Sequence, residues 1–226
     1  DVYKRQSIHR ITKAALRFGG NMKIRFYNAK ILTMQSEDII TGELHTDGDK
    51  ITFAGSENIP QGSFDREIDL TGKLIIPGFK NAHTHTAMTF LRSFADDLPL
   101  NDWLYEQVFP HEAKLTEEAV YVFTQLGNME YLTSGITSSF DMYMKLDSYA
   151  KACVDMGYRS VLCGSINDYG GTVEGIEEEY NKFNRFDPLI SYQLGFHAEY
   201  TTKRGTLEGL AKLSQKYKAP MYTHSS

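Results

Sequence analysis

The ten residues from Ile76 to His85 read IPGFKNAHTH, and they decide how the whole chain is interpreted. Pro77-Gly78 is a turn signal, after which an apolar residue opens a predicted strand that ends in two histidines. Residues i and i+2 of a strand lie on one face, so His83 and His85 are expected to point to the same side of a sheet. Neutral imidazoles are typical ligands of Zn²⁺ and Fe(II). The stretch therefore predicts a strand that carries a metal site, with two packed or exposed histidines as the alternative interpretation.

The pattern downstream of Pro77 is a strict alternation of strands and helices. It predicts an α/β fold, because strand–helix–strand units with right-handed crossovers form a parallel sheet. No glycine-rich dinucleotide loop follows the first strand, so a partial TIM (β/α)8 barrel is expected rather than a doubly wound sheet. The predicted strands span 79–83, 136–140, 160–164, 190–196 and 221–224, and the predicted helices span 116–133, 146–156, 174–186 and 207–217.

The chain is predicted to have three parts. Residues 1–21 carry five basic side chains and one acidic side chain, a balance of +4, and are predicted to be a leader outside the fold. Met22 is then the natural start, and a transit peptide is the alternative. Residues 22–76 contain short strands broken by turns and predict a small N-terminal β-sandwich domain, completed by strands from the end of the whole protein. Residues 77–226 predict the first five βα units of the barrel.

Five predicted strands are fewer than the eight of a complete barrel. The last of them ends two residues before the end of the chain, where a native terminus would leave an open sheet edge. We therefore expect the 226 residues to be the N-terminal piece of a longer protein.

Composition and charge argue against several classes of protein. The formal net charge is −5 at pH 7, which argues against a nucleic-acid partner because such proteins present a basic surface. The sequence has no run of 18 apolar residues, so no membrane partner is expected. The two cysteines have neither metal-type nor disulfide-type spacing, which predicts a reducing, cytoplasmic location.

The stretch 76–85 resembles the first barrel strand of the amidohydrolase superfamily. Other segments are similar to the branch of that superfamily that deaminates 5-methylthioadenosine and S-adenosylhomocysteine. The resemblance covers residues 22–226, and the further segments that carry it are 88, 91–92, 96–100, 103–104, 110–113, 135–137, 140–143, 195–198 and 223–226.

The resemblance implies one metal centre. His83 and His85 match the paired metal ligands of the first barrel strand, and His224 matches the single ligand that ends the fifth strand. A histidine that ends an apolar strand is, on its own, more often a packed residue. The implied cofactor is one divalent ion, with zinc expected and iron as the alternative, because the predicted strand 190–196 has no lysine to bridge a second ion.

The resemblance also implies three substrate-binding residues. Glu112 matches a carboxylate that binds ribose hydroxyls, and His197 matches a substrate-contacting histidine on the fourth strand. Trp103 is expected to wall the pocket, although a lone Trp is more usually a core residue. Without the family, Glu112 is equally well explained as a solvated charge and His197 as a hydrogen-bonded strand end.

The activity that the resemblance implies is hydrolytic deamination of a purine nucleoside-type substrate: 5-methylthioadenosine, adenosine or S-adenosylhomocysteine. The metal lowers the pKa of bound water, and the resulting hydroxide attacks the carbon that bears the amine. The family's proton-transfer groups are a Glu three residues after the strand-5 histidine and an Asp on the last barrel strand, and both would lie beyond Ser226. The catalytic set is therefore incomplete, and weak metal binding without deamination is expected of these 226 residues.

One departure from the branch concerns the substrate. Members active on S-adenosylhomocysteine place arginines where this chain has about Gly164 and Thr172, which cannot clamp a carboxylate. This favours methylthioadenosine, adenosine or another aminated ring.

Other functions remain open at this point. A sister amidohydrolase could act on guanine, cytosine or a triazine-like ring, and the chain could be a non-catalytic metal-binding fragment. A phosphoesterase is disfavoured because His9, His45 and His111 lack the spacing of a cluster. A homo-oligomer is left open for the full-length protein.

Overall fold

The computed structural model describes residues 22–225. The chain divides into two compact units, one ending at Pro77 and the other beginning at Gly78. The predicted leader, residues 1–21, lies outside the described residues.

The first unit contains one five-stranded sheet. Its strands are β1 (Lys23–Leu32), β2 (Ile39–Asp47), β3 (Lys50–Gly55), β4 (Arg66–Asp69) and β5 (Leu74–Ile75). β2 is antiparallel to both β1 and β3, whereas β4 and β5 pair in parallel with successive parts of β1. The sequence pattern predicts strands at 24–32, about 39–46, 50–55 and 74–76, which match β1, β2, β3 and β5. It does not predict β4, whose four residues REID contain no apolar run. A sandwich needs a second sheet, so the predicted β-sandwich stays a prediction.

A buried ionic cluster joins β1 and β2. Arg25 Nε donates to Glu43 Oε2 at 2.7 Å, and His45 Nε2 lies 2.8 Å from the same oxygen. Glu43 is 8% exposed and His45 is 3% exposed, and the ring of Phe53 packs against His45. Burial of a carboxylate is costly unless the charge is paired, so the guanidinium of Arg25 allows Glu43 to lie in the interior of this unit.

The second unit is a parallel sheet of five strands with helices between them. Its strands are β6 (Phe79–Thr84), β7 (Ile136–Met142), β8 (Arg159–Cys163), β9 (Ile190–Ala198) and β10 (Met221–His224), and they lie in the order β10-β9-β8-β7-β6. The main helices are α1 (Glu117–Thr133), α2 (Leu146–Met156), α3 (Val173–Phe183) and α4 (Arg204–Tyr217). The order of the strands in the sheet is thus their order in the chain, as in a sequential βα barrel.

The predicted alternation of strands and helices is confirmed. Thr116 begins α1 as predicted, because its Oγ1 accepts the amide of Ala119 at 3.1 Å and satisfies a free helix N–H. The prediction for α3 was three residues too long. The side chain of Asn184 leaves the helix to bond both backbone groups of Tyr192 on β9, at 2.9 and 3.1 Å. None of the helices in residues 22–225 has the length and apolar character needed to cross a bilayer.

The five-stranded sheet curls strongly. Neighbouring strands lie about 4.8 Å apart, so the two outer strands of a flat five-stranded sheet would be about 19 Å apart. In the structure, His83 on β6 and His224 on β10 place their Nε2 atoms 3.2 Å from each other. The sheet therefore forms part of a cylinder, which gives the partial TIM barrel that the alternation predicted.

Side chains between the sheet and its helices form the core of this unit. Tyr149, Tyr158, Phe183 and Tyr192 are each less than 2% exposed, and they pack around Leu162 of β8. Burial of a large apolar side chain contributes about 2 kcal/mol. This packing holds the helices against the outside of the curled sheet.

A helical connection between β6 and α1 was not predicted from the sequence. It consists of a 3-10 helix, Thr86–Leu91, followed by three short helical pieces, Leu100–Asp102, Trp103–Val108 and Phe109–Glu112. The middle piece is π-helical, a conformation that is rare and concentrated at functional sites. This connection supplies one wall of the cavity described below.

Candidate metal centre

Three histidines from the two outer strands of the curled sheet meet at one point. One ring nitrogen from each of His83, His85 and His224 lies within 4.8 Å of the other two. The ring centroids are 4.9 Å apart for His83 and His85, 4.9 Å for His83 and His224, and 5.2 Å for His85 and His224. The structure therefore brings together the three residues that the sequence selected as metal ligands.

Backbone carbonyls orient two of these rings. His85 Nδ1 lies 2.5 Å from the carbonyl oxygen of Met142, and His224 Nδ1 lies 2.6 Å from that of His197. A carbonyl oxygen can only accept a hydrogen bond, so each Nδ1 carries the proton and each Nε2 keeps a free lone pair. Metal-binding histidines are commonly held by a hydrogen bond of this kind.

The surroundings favour the neutral form of the imidazoles. Burial lowers the pKa of His85 from 6.5 to about 4, against the opposing effect of its hydrogen bond to Met142. Burial, followed by the proximity of His224, also lowers the pKa of His83. Only a neutral imidazole can donate a lone pair to a metal ion, so the lowered pKa values of His83 and His85 favour their ligand form.

The geometry fits a tetrahedral metal ion. With Zn–N distances of about 2.0–2.1 Å, two nitrogens at tetrahedral angles are about 3.3 Å apart, and the Nε2 atoms of His83 and His224 are 3.2 Å apart. Three protein ligands with the fourth position open are typical of catalytic zinc sites. The three residues thus match the donor type that one divalent ion requires, His85 and His224 have the required tautomer, and the pair His83–His224 has the required separation.

A cavity of about 230 Å³ lies beside the cluster, with His85 in its wall. It is also lined by all three residues that the sequence proposed for substrate binding: Trp103, Glu112 and His197. The remaining lining residues are mostly apolar and come from the helical connection and from the segments after β7 and β8, namely Met88, Leu104, Val108, Phe109, Met142, Tyr143, Met144, Ser165 and Asn167.

The polar groups of the cavity are held by neighbours. Burial raises the pKa of Glu112, while the hydroxyl of Tyr143 acts in the opposite direction. His197 Nδ1 lies 2.9 Å from Thr201 Oγ1, and burial lowers the pKa of His197. The cavity therefore offers a carboxylate and a neutral imidazole within largely apolar walls.

Sequence reasoning gave no role to Tyr143 and Asn167. Both follow the carboxyl ends of barrel strands, β7 and β8, which is where barrel active sites are built. Position after a predicted strand is the signal that could have found them. Asp141 was also passed over, although it was part of the segment that carried the family resemblance.

Gly164 and Thr172, the positions at which members active on S-adenosylhomocysteine place arginines, have structural roles in this chain. A Cβ on Gly164 would lie 2.8 Å from the hydroxyl of Tyr192 and 2.9 Å from the carbonyl oxygen of Gly195, so no side chain fits there. Thr172 begins α3, and its Oγ1 accepts the amide of Gly175 at 3.0 Å. Neither position can present a cation to the cavity.

The fold and the cluster together define part of a β/α barrel with a histidine site suited to a metal at the carboxyl ends of its strands. The chain belongs to the amidohydrolase family, whose model matches residues 74–226.

Curated relatives agree with this family. The chain is 37% identical over 210 residues to a 5-methylthioadenosine/S-adenosylhomocysteine deaminase of Syntrophomonas wolfei, covering 90% of this chain and 49% of the relative. It is 36% identical over 194 residues to a 5'-deoxyadenosine deaminase of Methanobrevibacter smithii, covering 83% of this chain and 44% of the relative. The chain thus spans about half the length of the curated relatives it matches.

A solved structure with a similar fold is an adenosine deaminase from Xanthomonas campestris with bound zinc. It superposes with a TM-score of 0.80 at 25% identity, covering 91% of this chain and 49% of that one.

Proposed function

We propose that the whole protein deaminates a purine nucleoside-type substrate by hydrolysis at a single metal ion held by His83, His85 and His224. The observation that carries the proposal is the 3.2 Å separation of the Nε2 atoms of His83 and His224 across a curled sheet. The names of the curated relatives, 5-methylthioadenosine/S-adenosylhomocysteine and 5'-deoxyadenosine deaminases, support the same reaction class.

A bound divalent ion would activate water as a nucleophile at neutral pH. Zinc is the expected ion, and iron is the alternative. The residues of this chain hold and surround the ion. His85 and His224 keep their Nε2 lone pairs free because their Nδ1 protons are donated to backbone carbonyls.

The cavity residues bind and orient the substrate in this proposal. Glu112 accepts hydrogen bonds from sugar hydroxyls, because a half-buried carboxylate is a strong acceptor. Trp103 provides a flat apolar face for the purine ring, and His197 contacts the substrate next to His224. In this proposal an Asp of the last barrel strand takes the water proton, and a Glu three residues after His224 protonates the ring; both would follow Ser226 in the full-length protein.

The cavity favours a substrate with an uncharged substituent at the 5' position. Gly164 and Thr172 cannot supply the cation that a carboxylate would need. Methylthioadenosine, 5'-deoxyadenosine or adenosine is therefore preferred over S-adenosylhomocysteine.

Titration of the 226-residue chain with Co²⁺ or Zn²⁺ tests the metal centre. We expect one equivalent to bind, and His83→Ala to weaken the affinity by at least about 100-fold because one of three ligands is lost. His111→Ala is the matched control: its imidazole lies outside the cluster and contacts the carbonyl oxygen of Gln107. Equal affinity of the His83 variant and the wild type would refute the centre.

Ammonia release by the full-length protein tests the reaction and the substrate. We expect turnover of methylthioadenosine but not of guanine, which separates this proposal from a sister amidohydrolase. Glu112→Gln should raise KM by about 10-fold or more, since a charged acceptor is lost from a hydroxyl contact. The exposed Glu106→Gln on the same helical connection serves as the control.

A further inference from the structure

The strand that carries the first two histidines has a second functional face. Side chains alternate along a strand, so Thr84, the last residue of β6, projects away from His83, and Thr86 begins the 3-10 helix that follows. Thr84 Oγ1 lies 2.6 Å from the hydroxyl of Tyr131 on α1. Thr86 Oγ1 lies 3.2 Å from the same hydroxyl. Both threonines are thus tied to a buried polar cluster behind the proposed metal centre.

Asp141 is the centre of that cluster. It is 1% exposed, and its Oδ2 accepts the amide of Thr86 at 3.0 Å, the hydroxyl of Thr86, and the hydroxyl of Tyr149 at 2.6 Å. Its other oxygen has no hydrogen-bond partner among the described residues. All of the donors just named are neutral, so the carboxylate is held by directed hydrogen bonds rather than by an ion pair.

Two consecutive residues of β7 hold His85 from two sides. The carboxylate of Asp141 binds the amide of Thr86, which is the peptide directly after His85. The carbonyl oxygen of Met142 accepts from His85 Nδ1 at 2.5 Å. The first contact fixes the backbone at the histidine and the second fixes its ring, so the position of Asp141 is coupled to the direction of His85 Nε2.

We infer that Asp141, with Thr84, Thr86, Tyr131 and Tyr149, is a positioning cluster that sets the geometry of the metal-binding histidines. The inference rests on the proposed metal centre. Groups that orient metal ligands contribute about 10–100-fold to metal affinity without touching the ion. A cluster that only stabilises the barrel would instead change folding and leave the geometry of the metal unchanged.

Co²⁺ affinity and the visible spectrum of the bound Co²⁺ test the inference, because the spectrum reports coordination geometry. We expect Asp141→Asn and Thr86→Val to weaken Co²⁺ binding by about 10–100-fold and to shift the spectrum. Thr124→Val is the matched control: Thr124 is 0% exposed, and its hydroxyl has no partner among the described residues. The control should bind within about 2-fold of the wild type, since it touches neither the ion nor its ligands.

Two outcomes separate the inference from the proposed function. If His83→Ala binds Co²⁺ as the wild type does, the metal centre is wrong and the inference falls with it. If His83→Ala loses binding while Thr86→Val matches Thr124→Val in affinity and spectrum, only the inference is overturned. Tyr131→Phe removes one hydroxyl and keeps the ring packing, so it repeats the test if Asp141→Asn does not fold; a smaller loss of affinity with the same spectral shift is expected.

Discussion

Two buried carboxylates, one in each unit, are held in opposite ways. Glu43 bonds to the guanidinium of Arg25 and to His45, and the hydrogen bond from Arg25 is the main reason that its pKa falls to about 2. Asp141 receives only hydroxyl and amide hydrogen bonds, and burial raises its pKa to about 6. The first carboxylate is stabilised as a charge, whereas the second remains costly to ionise.

This difference shows what each carboxylate can contribute. A buried pair that loses one partner leaves an uncompensated charge, so Glu43 and Arg25 act mainly on the stability of the first unit. The neutral donors around Asp141 offset less of its desolvation cost than a guanidinium would. They include a backbone amide and the hydroxyl of the buried Tyr149, whose positions are fixed by the fold. Asp141 is therefore stabilised less well in its ionised form than Glu43, and its hydrogen bond to the amide of Thr86 fixes the backbone next to His85.

Removal of the Asp141 carboxylate should have the largest effect on stability. Asp141→Ala removes the charged acceptor of three buried hydrogen bonds, each worth about 1.5–3 kcal/mol, so we expect the free energy of unfolding to fall by about 4 kcal/mol. Urea unfolding followed by the fluorescence of Trp103, the single Trp of the sequence, measures the second unit. Thr124→Val should change this free energy by less than about 1 kcal/mol. A loss as small as the control's would contradict the role given to Asp141.

Neutralisation of Glu43 should have the next largest effect, confined to the first unit. Glu43→Gln weakens a charge-assisted bond worth about 2 kcal/mol, and faster hydrogen exchange in peptides of β1 and β2 should report the loss. Glu67→Gln is the control, because Glu67 bonds the same arginine from a half-exposed position, where such a pair is worth less than about 1 kcal/mol. Equal effects of the two variants would show that burial does not distinguish the carboxylates.

The two carboxylates should respond to acid with opposite signs. Because the folded-state pKa of Glu43 is about 2 and the unfolded value is 4.5, its contribution is present above pH 4.5 and is lost as pH falls toward 2. Because the folded-state pKa of Asp141 is about 6 and the unfolded value is 3.8, stability instead rises as pH falls from 6 to 3.8. Each slope is at most about 1.4 kcal/mol per pH unit.

Difference curves isolate the two contributions. The difference in stability between the wild type and Glu43→Gln, measured by hydrogen exchange, should become smaller as the pH falls. The difference in the free energy of unfolding between the wild type and Asp141→Asn, measured by Trp103 fluorescence, should become larger as the pH falls. Slopes of the same sign would remove the contrast between the two sites.

Loss of a single donor to Asp141 should have the smallest effect. Tyr149→Phe removes one of its three hydrogen bonds and should lower the free energy of unfolding by about 1 kcal/mol. It should also move the acid response of Asp141 to higher pH, because a donor to the charged form is lost. Urea unfolding at several pH values measures both changes, and an unchanged acid response would show that Tyr149 only fills space.

Local pattern accounts for the parts of the fold that were predicted correctly. The alternation of strands and helices, the N-terminal cap at Thr116 and the end of α2 at Met156 follow from periodicity and from helix start and stop signals. β4 was missed because it is short and charged, and it pairs only through β1. The helical connection 86–112 was missed because its short pieces are too brief to show a period.

The sequence by itself predicted that His83 and His85 share a face, because strand geometry fixes the alternation of side chains. Strand geometry indicates nothing about His224, 141 residues after His83; the family resemblance selected it, and the tertiary structure shows that it meets the pair. That meeting depends on the curl of a whole sheet, which replaces a separation of about 19 Å in a flat sheet by direct contact. The same packing places Asp141 behind the histidines. This contact also could not be predicted, because no local sequence pattern indicates which buried hydroxyls will surround a carboxylate.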